Sequence, residues 1–241
     1  MTTVDVAATI APESLLEETT IDEMKKYESD IDIIELRIDQ WANHHLQLLK
    51  QNLSILKQVD SGFKVLVTYR TKSQGGKGKM SSEDYLELLR NISTLDDFHM
   101  LDIEWDSDIP PQMLRDIVRL AQQNYKQVIV SYHNFSETPG IDELRFTYYK
   151  MHQLGPNFIK IAVMPNSRED VAILLEAMAS SVEAVSCRMI GISMSELGLV
   201  SRTAQGVFGG TISYGCLGEP QAPGQIHVKA LKEQLAFYEI T

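Results

Sequence analysis

Residues 158–165 read Phe158-Ile159-Lys160-Ile161-Ala162-Val163-Met164-Pro165. A short apolar, β-branched run closed by a proline has the length and composition of a strand covered on both faces, as in a parallel sheet. Lys160 is its one cation. Inside such a strand a charged amine loses hydration, and burial favours the neutral form. A neutral amine in an apolar pocket is a nucleophile toward carbonyls and can form a Schiff base. The alternative is a lysine that points to an outer surface and carries its charge to water on its own stem. The strand alone leaves both readings open.

Seven more runs of this kind surround it: Val4–Ala11, Ile31–Ile38, Lys64–Arg70, Met100–Trp105, Gln127–Tyr132, Met189–Met194 and Val207–Tyr214. Segments with apolar residues at three- and four-residue steps lie between most of them, at Glu13–Tyr27, Leu46–Lys57, Ser82–Ile92, Pro111–Gln123, Ile141–Gln153 and Arg168–Ala179. The seventh connection is short, around Ser195–Thr203, and a last helix is expected over Val228–Tyr238. Strand–helix alternation at about 30-residue spacing marks repeated βαβ units. Eight units in 241 residues predict an α/β fold of the single-domain (β/α)8 TIM-barrel type, with one domain over residues 1–241.

In such a barrel the chemistry gathers at the C-terminal ends of the strands. Those ends carry Glu35 and Arg37, Arg70, Asp102 and Glu104, His133, Lys160, Met194 and Tyr214. Glu35 and Arg37 are two apart, so they face one way and could form an acid–base pair at the mouth or an ion pair that fills a barrel layer. Arg70 could grip a carboxylate or hydroxyls with its planar fork. His133 closes a strand and titrates near neutral pH, which suits proton transfer. Arg202 follows the seventh strand and could hold a carboxylate, or end a helix at the surface. Residues 215–225, rich in Gly and Pro, read as a lid that could bring Gln225 into the site.

Composition narrows the rest. A formal net charge of −11, from 33 acidic against 22 basic residues, disfavours a nucleic-acid partner. An anionic substrate must then be held by local bases. No apolar stretch has the length of a membrane span, and the start of the chain lacks a signal-peptide pattern, so a cytoplasmic location is expected. Cys187 and Cys216 stand far apart, and no metal-type spacing occurs. Gly75-Gly76-Lys77-Gly78-Lys79 lacks the spacing of a phosphate-binding loop and ends on Met80 where a Ser or Thr is required. The final helix could pack on the barrel or contact a second copy, so a homodimer is possible.

Eight elements together resemble the type I 3-dehydroquinate dehydratase family. They are Glu35-Leu36-Arg37-Ile38-Asp39, Thr68-Tyr69-Arg70-Thr71, Asp102-Ile103-Glu104-Trp105, Ser131-Tyr132-His133-Asn134-Phe135, Lys160-Ile161-Ala162, Ile192-Ser193-Met194, Ser201-Arg202 and Ala222-Pro223-Gly224-Gln225. The resemblance implies dehydration of 3-dehydroquinate to 3-dehydroshikimate in the shikimate pathway, with no cofactor and no metal. It assigns the imine to Lys160, proton transfer to His133 and orientation of His133 to Glu35. Substrate contacts fall to Glu35, Arg37, Arg70, Met194, Arg202, Tyr214, Gln221 and Gln225. Gln74, Gln221 and Tyr214 depart from residues that other members carry. A class I aldolase is the rival enzyme, and it would want a phosphate site in the last two loops. A barrel kept only for binding is the non-enzymatic alternative.

Overall fold

The computed structural model describes residues 2–59 and 62–238; Met1, residues 60–61 and residues 239–241, where the expected domain also runs, lie outside it. Eight parallel strands form the centre: β1 (Asp5–Ile10), β2 (Ile33–Arg37), β3 (Lys64–Thr68), β4 (Met100–Glu104), β5 (Gln127–Asn134), β6 (Phe158–Val163), β7 (Arg188–Ser193) and β8 (Ile212–Cys216). Their order is β7-β6-β5-β4-β3-β2-β1-β8, so β1 pairs with both β2 and β8. A parallel bridge from Met189 to Gly210, with Thr211 N–H donating to the Met189 carbonyl at 2.9 Å, brings β7 to β8 and closes the ring.

The helices are α1 (Glu18–Lys26), α2 (His45–Gln58), α3 (Ser82–Ser93), α4 (Pro111–Gln123), α5 (Ile141–His152), α6 (Arg168–Ser181), α7 (Leu199–Thr203) and α8 (Val228–Phe237). Their apolar stripes close a core against the outer faces of the strands, with Leu53, Ile92, Val118, Tyr148, Leu174 and Leu231 all buried. Local signals set several starts. Pro111 occupies the first turn of α4, where its missing N–H costs nothing. Ser167 and Asp170 cap each other's backbone at the start of α6. In α8, Leu231 and Leu235 face the barrel while Phe237 is 72% exposed.

Two boundaries differ from expectation. The first helix begins at Glu18, not Glu13, because the preceding loop is tied elsewhere. Asn52 accepts from Leu16 N–H and donates to the Ser14 carbonyl, and Trp41 Nε1 donates to the Pro12 carbonyl. The eighth strand begins at Ile212, not Val207. Residues Gln205–Phe208 form a 3-10 turn ended by Gly209 at φ +85°, a conformation that favours glycine.

Along each strand, alternate residues point inward. One inward layer is apolar all round: Ala7, Ile33, Leu66, Met100, Ile129, Phe158, Ile190 and Ile212 pack as one inner cluster. This floor keeps water out from below. The next inward positions are mostly polar, and they make the site.

Candidate active site

Lys160 is the second inward residue of β6, in register with Ser131 on β5 and Ile190 on β7. It is 5% exposed, and its Nζ lies 3.7 Å from the centroid of the Tyr214 ring. The outward-pointing reading is thereby removed. Burial pushes its amine down to about 8; Glu35 and Asp102 oppose that push, and Arg70 and Arg37 add to it.

Glu35 stands at the equivalent level of β2. It accepts from Thr9 Oγ1 at 2.8 Å and from Thr68 Oγ1 at 3.0 Å. Burial alone would raise its carboxyl, but Lys160, Arg37, Arg70 and the Thr9 bond hold it below the usual range. The expected Glu35–Arg37 pair does not form. Arg37 instead makes a two-bond fork with Asp39, at 2.7 and 2.8 Å, because Asp39 is two residues on and buried beside it. Asp39 also accepts from Lys77 N–H at 2.9 Å, which fastens the loop after β3 to Arg37.

Both terminal nitrogens of Arg70 are engaged by protein. One terminal nitrogen donates to Glu104 and Ser131, the other to Asp102, all at 2.9 Å. Burial would weaken its charge, but Asp102 and Glu104 hold the guanidinium ionised. Arg70 lines the cavity, and its two terminal nitrogens are held by carboxylates on β4 and a serine on β5. Asp102 and Ser131, both in strand-end segments picked out from sequence but given no role there, share the inward parity of neighbouring site positions.

His133 lies at the end of β5, which runs one residue further, to Asn134. The Gln74 carbonyl Oε1 accepts its backbone N–H at 2.9 Å and stands 3.2 Å from its ring Nδ1. Gln74 Nε2 donates to the Trp105 carbonyl at 2.9 Å, which fixes the amide's orientation. Nδ1 must therefore carry the proton, leaving Nε2 with a free lone pair. Burial, followed by the charges of Arg70, Lys160 and Arg37, holds the imidazole well below its ordinary value and so neutral. Both Glu35 oxygens accept from threonines, and the side-chain partner recorded for His133 in this structure is Gln74.

Arg202 is buried in α7, 2% exposed, not a surface residue at a helix end. Its terminal nitrogens donate to the carbonyls of Tyr214 at 3.1 Å and Pro223 at 3.0 Å, and its Nε has no partner among the described residues. Burial draws its guanidinium down to about 10, with only Cys216 opposing. A buried cation without a carboxylate partner suits a bound anion. The lid folds over it. Gln225 accepts from Gln221 N–H at 2.8 Å and donates to Thr9 Oγ1 at 3.2 Å, linking lid to barrel.

One cavity at the C-terminal mouth is lined by Glu35, Arg37, Arg70, His133, Lys160, Met194, Arg202, Tyr214, Gln221 and Gln225, together with Thr9 and Gln74. All ten residues picked from sequence meet there. Met194, Ile192 and Ala162 give it an apolar wall. The arrangement places a buried amine, a neutral imidazole and a buried arginine in one cavity. Among the described residues no group of His, Cys, Asp and Glu is arranged to hold a metal ion, and no helix is long and apolar enough to cross a membrane.

Comparison with known proteins agrees with this geometry. The family model described as type I 3-dehydroquinase matches residues 13–241. The chain is 62% identical over 238 residues to a 3-dehydroquinate dehydratase of Staphylococcus haemolyticus, covering 99% of both chains. A 3-dehydroquinate dehydratase of Staphylococcus epidermidis is 52% identical over 239 residues, 99% of this chain and 100% of that one. Among solved structures, a type I 3-dehydroquinate dehydratase from Clostridium difficile with covalently modified comenic acid superposes with a TM-score of 0.89 at 29% identity, over 99% of this chain and 93% of that one. The 3-dehydroquinate dehydratase from Aquifex aeolicus gives 0.78 at 31% identity, over 98% and 99%.

Proposed function

The chain belongs to the type I 3-dehydroquinase family, and from that premise we propose that it removes water from 3-dehydroquinate to give 3-dehydroshikimate, a step of the shikimate pathway, through an imine on Lys160. The observation that carries this reading is the Lys160 amine, buried and drawn down to about 8, in one cavity with a neutral histidine.

Lys160 Nζ attacks the C3 ketone as a free amine; the proton that the ammonium gave up returns as the carbinolamine loses water, and a protonated imine remains. That cation withdraws electrons from C2, so a mild base can take the C2 proton. His133 Nε2, bare because Gln74 holds the proton on Nδ1, supplies the base. The proton then goes to the departing C1 hydroxyl, which leaves as water. Hydrolysis of the imine returns the lysine. The iminium is the electron sink, so the sequence of steps requires no metal or organic cofactor. Glu35 offsets the positive charge on the imine nitrogen. Arg202, a buried cation whose recorded partners are carbonyls and not carboxylates, takes the C1 carboxylate. A cytoplasmic location, with its pool of small metabolites, suits the reaction.

The assay follows enone absorbance on addition of 3-dehydroquinate, with sugar phosphates as the control for an aldolase. Enone appearing with 3-dehydroquinate alone supports the reading. No enone, or cleavage of a sugar phosphate, refutes it.

A further inference from the structure

Lys160 has one direct contact that the steps above do not use. Its Nζ sits 3.7 Å from the centroid of the Tyr214 ring, a side chain 2% exposed on β8. A cation over an aromatic face is attracted by the ring's quadrupole, the more so where water is excluded. The Tyr214 hydroxyl has no hydrogen-bond partner among the described residues, so the ring face and not the oxygen is what Tyr214 presents to the amine. We infer that the Tyr214 ring is the seat of the charged nitrogen throughout the reaction, holding the Lys160 ammonium in the free enzyme and the iminium after condensation. The inference rests on the imine reading and adds to it a group that touches the reacting nitrogen.

The consequence is a specific pH signature. Below the lysine's pKa, condensation converts an ammonium and a ketone into an iminium and water, with no net proton. The ring attracts both cations, so its contribution cancels. Above the pKa the free amine is neutral and condensation takes up a proton. There the ring attracts the adduct alone. Weakening the quadrupole should therefore leave adduct formation unchanged at low pH and reduce it at high pH. The charged or titratable groups acting on Lys160 (Glu35, Arg37, Arg70, Asp102 and His133) are the same in every variant, so they drop out of the comparison.

The test replaces Tyr214 with phenylalanine and with phenylalanines carrying one, two and three ring fluorines, which drain the quadrupole at almost constant shape. Two readouts are taken. In the free enzyme, Cε-labelled lysine reports the Lys160 titration by NMR. With an equilibrated mixture of 3-dehydroquinate and 3-dehydroshikimate, borohydride reduction and intact mass report the fraction of adduct. Tyr214→Phe keeps the ring face and is the reference against which the fluorinated rings are read. Successive fluorines should lower the Lys160 pKa stepwise, and the trifluoro variant should hold roughly 10- to 30-fold less adduct at pH 10 with no change at pH 6. A Lys160 titration indifferent to fluorination overturns the inference, as does a loss of adduct equal at both pH values, which a merely structural role would give. A titration that shifts as expected, in an enzyme that never forms adduct at Lys160, would sink the imine reading and with it the iminium half of the inference, while the ring's hold on the ammonium would stand.

Discussion

The Gln74 side-chain carbonyl stands 3.2 Å from His133 Nδ1 while accepting the His133 backbone N–H at 2.9 Å. A neutral amide in this place fixes the imidazole tautomer without adding charge. Together with burial and three nearby cations, that keeps His133 a free base at neutral pH.

Gln74→Glu should reverse this balance. A carboxylate at the same distance favours the imidazolium and raises the His133 pKa by roughly one to three pH units. The base must be neutral to act, so the acid limb of the kcat/KM profile should move to higher pH by a similar amount. An unmoved limb would remove Gln74 from control of His133.

His133→Ala should cut turnover by roughly 10²–10⁴-fold, the ordinary contribution of a positioned acid or base. Adduct at Lys160 should still form, since the amine is intact. Stopped-flow assay with mass analysis of the same samples separates the two effects.

Arg70 and Arg202 should fail in different ways. Arg70→Met leaves Asp102 and Glu104 buried without their partner, and should cost about 3–5 kcal/mol in denaturant unfolding. Arg202→Met strands no carboxylate of the protein. It should raise KM roughly 10- to 100-fold through loss of a charge-assisted hydrogen bond to substrate, with far less change in stability. Equal stability losses in the two variants would contradict the assignment.

Lys160 also predicts a pH dependence of stability. Its folded value, about 8, lies below the ordinary 10.5, so between these values the unfolded chain binds more protons than the folded one. Stability should therefore rise with pH across that window as the folded state sheds the cost of a buried cation. The gap corresponds to roughly 3 kcal/mol. The rise should be missing in Lys160→Met, as read by urea titrations at pH 7, 8, 9 and 10.

Much of this site is written in strand parity. Glu35, Arg37, His133, Lys160 and Tyr214 each sit at an inward position near a strand end, and period two with the apolar floor beneath them is legible in one dimension. Partners are not. Whether Arg37 joins Glu35 or Asp39 is decided by side-chain reach, and both lie two residues away. Arg70 is claimed by Asp102, Glu104 and Ser131 from two other strands, a convergence that no local pattern records. Gln74 ends a single 3-10 turn, Lys72–Gln74, too short to show a helical period, and its hold on His133 spans 59 residues. The Val207–Tyr214 run was ambiguous for a different reason: Val207 and Phe208 have strand composition, but the glycine pair that follows them ends a turn and starts the strand later.

Mass analysis of Lys160 during turnover bears most directly on the central claim. Borohydride added to enzyme at work on 3-dehydroquinate should attach the reduced carbon skeleton to the peptide containing Lys160, and Lys160→Met should lose both the adduct and the dehydration. An unmodified Lys160 peptide at full activity, or undiminished dehydration by Lys160→Met, would contradict it.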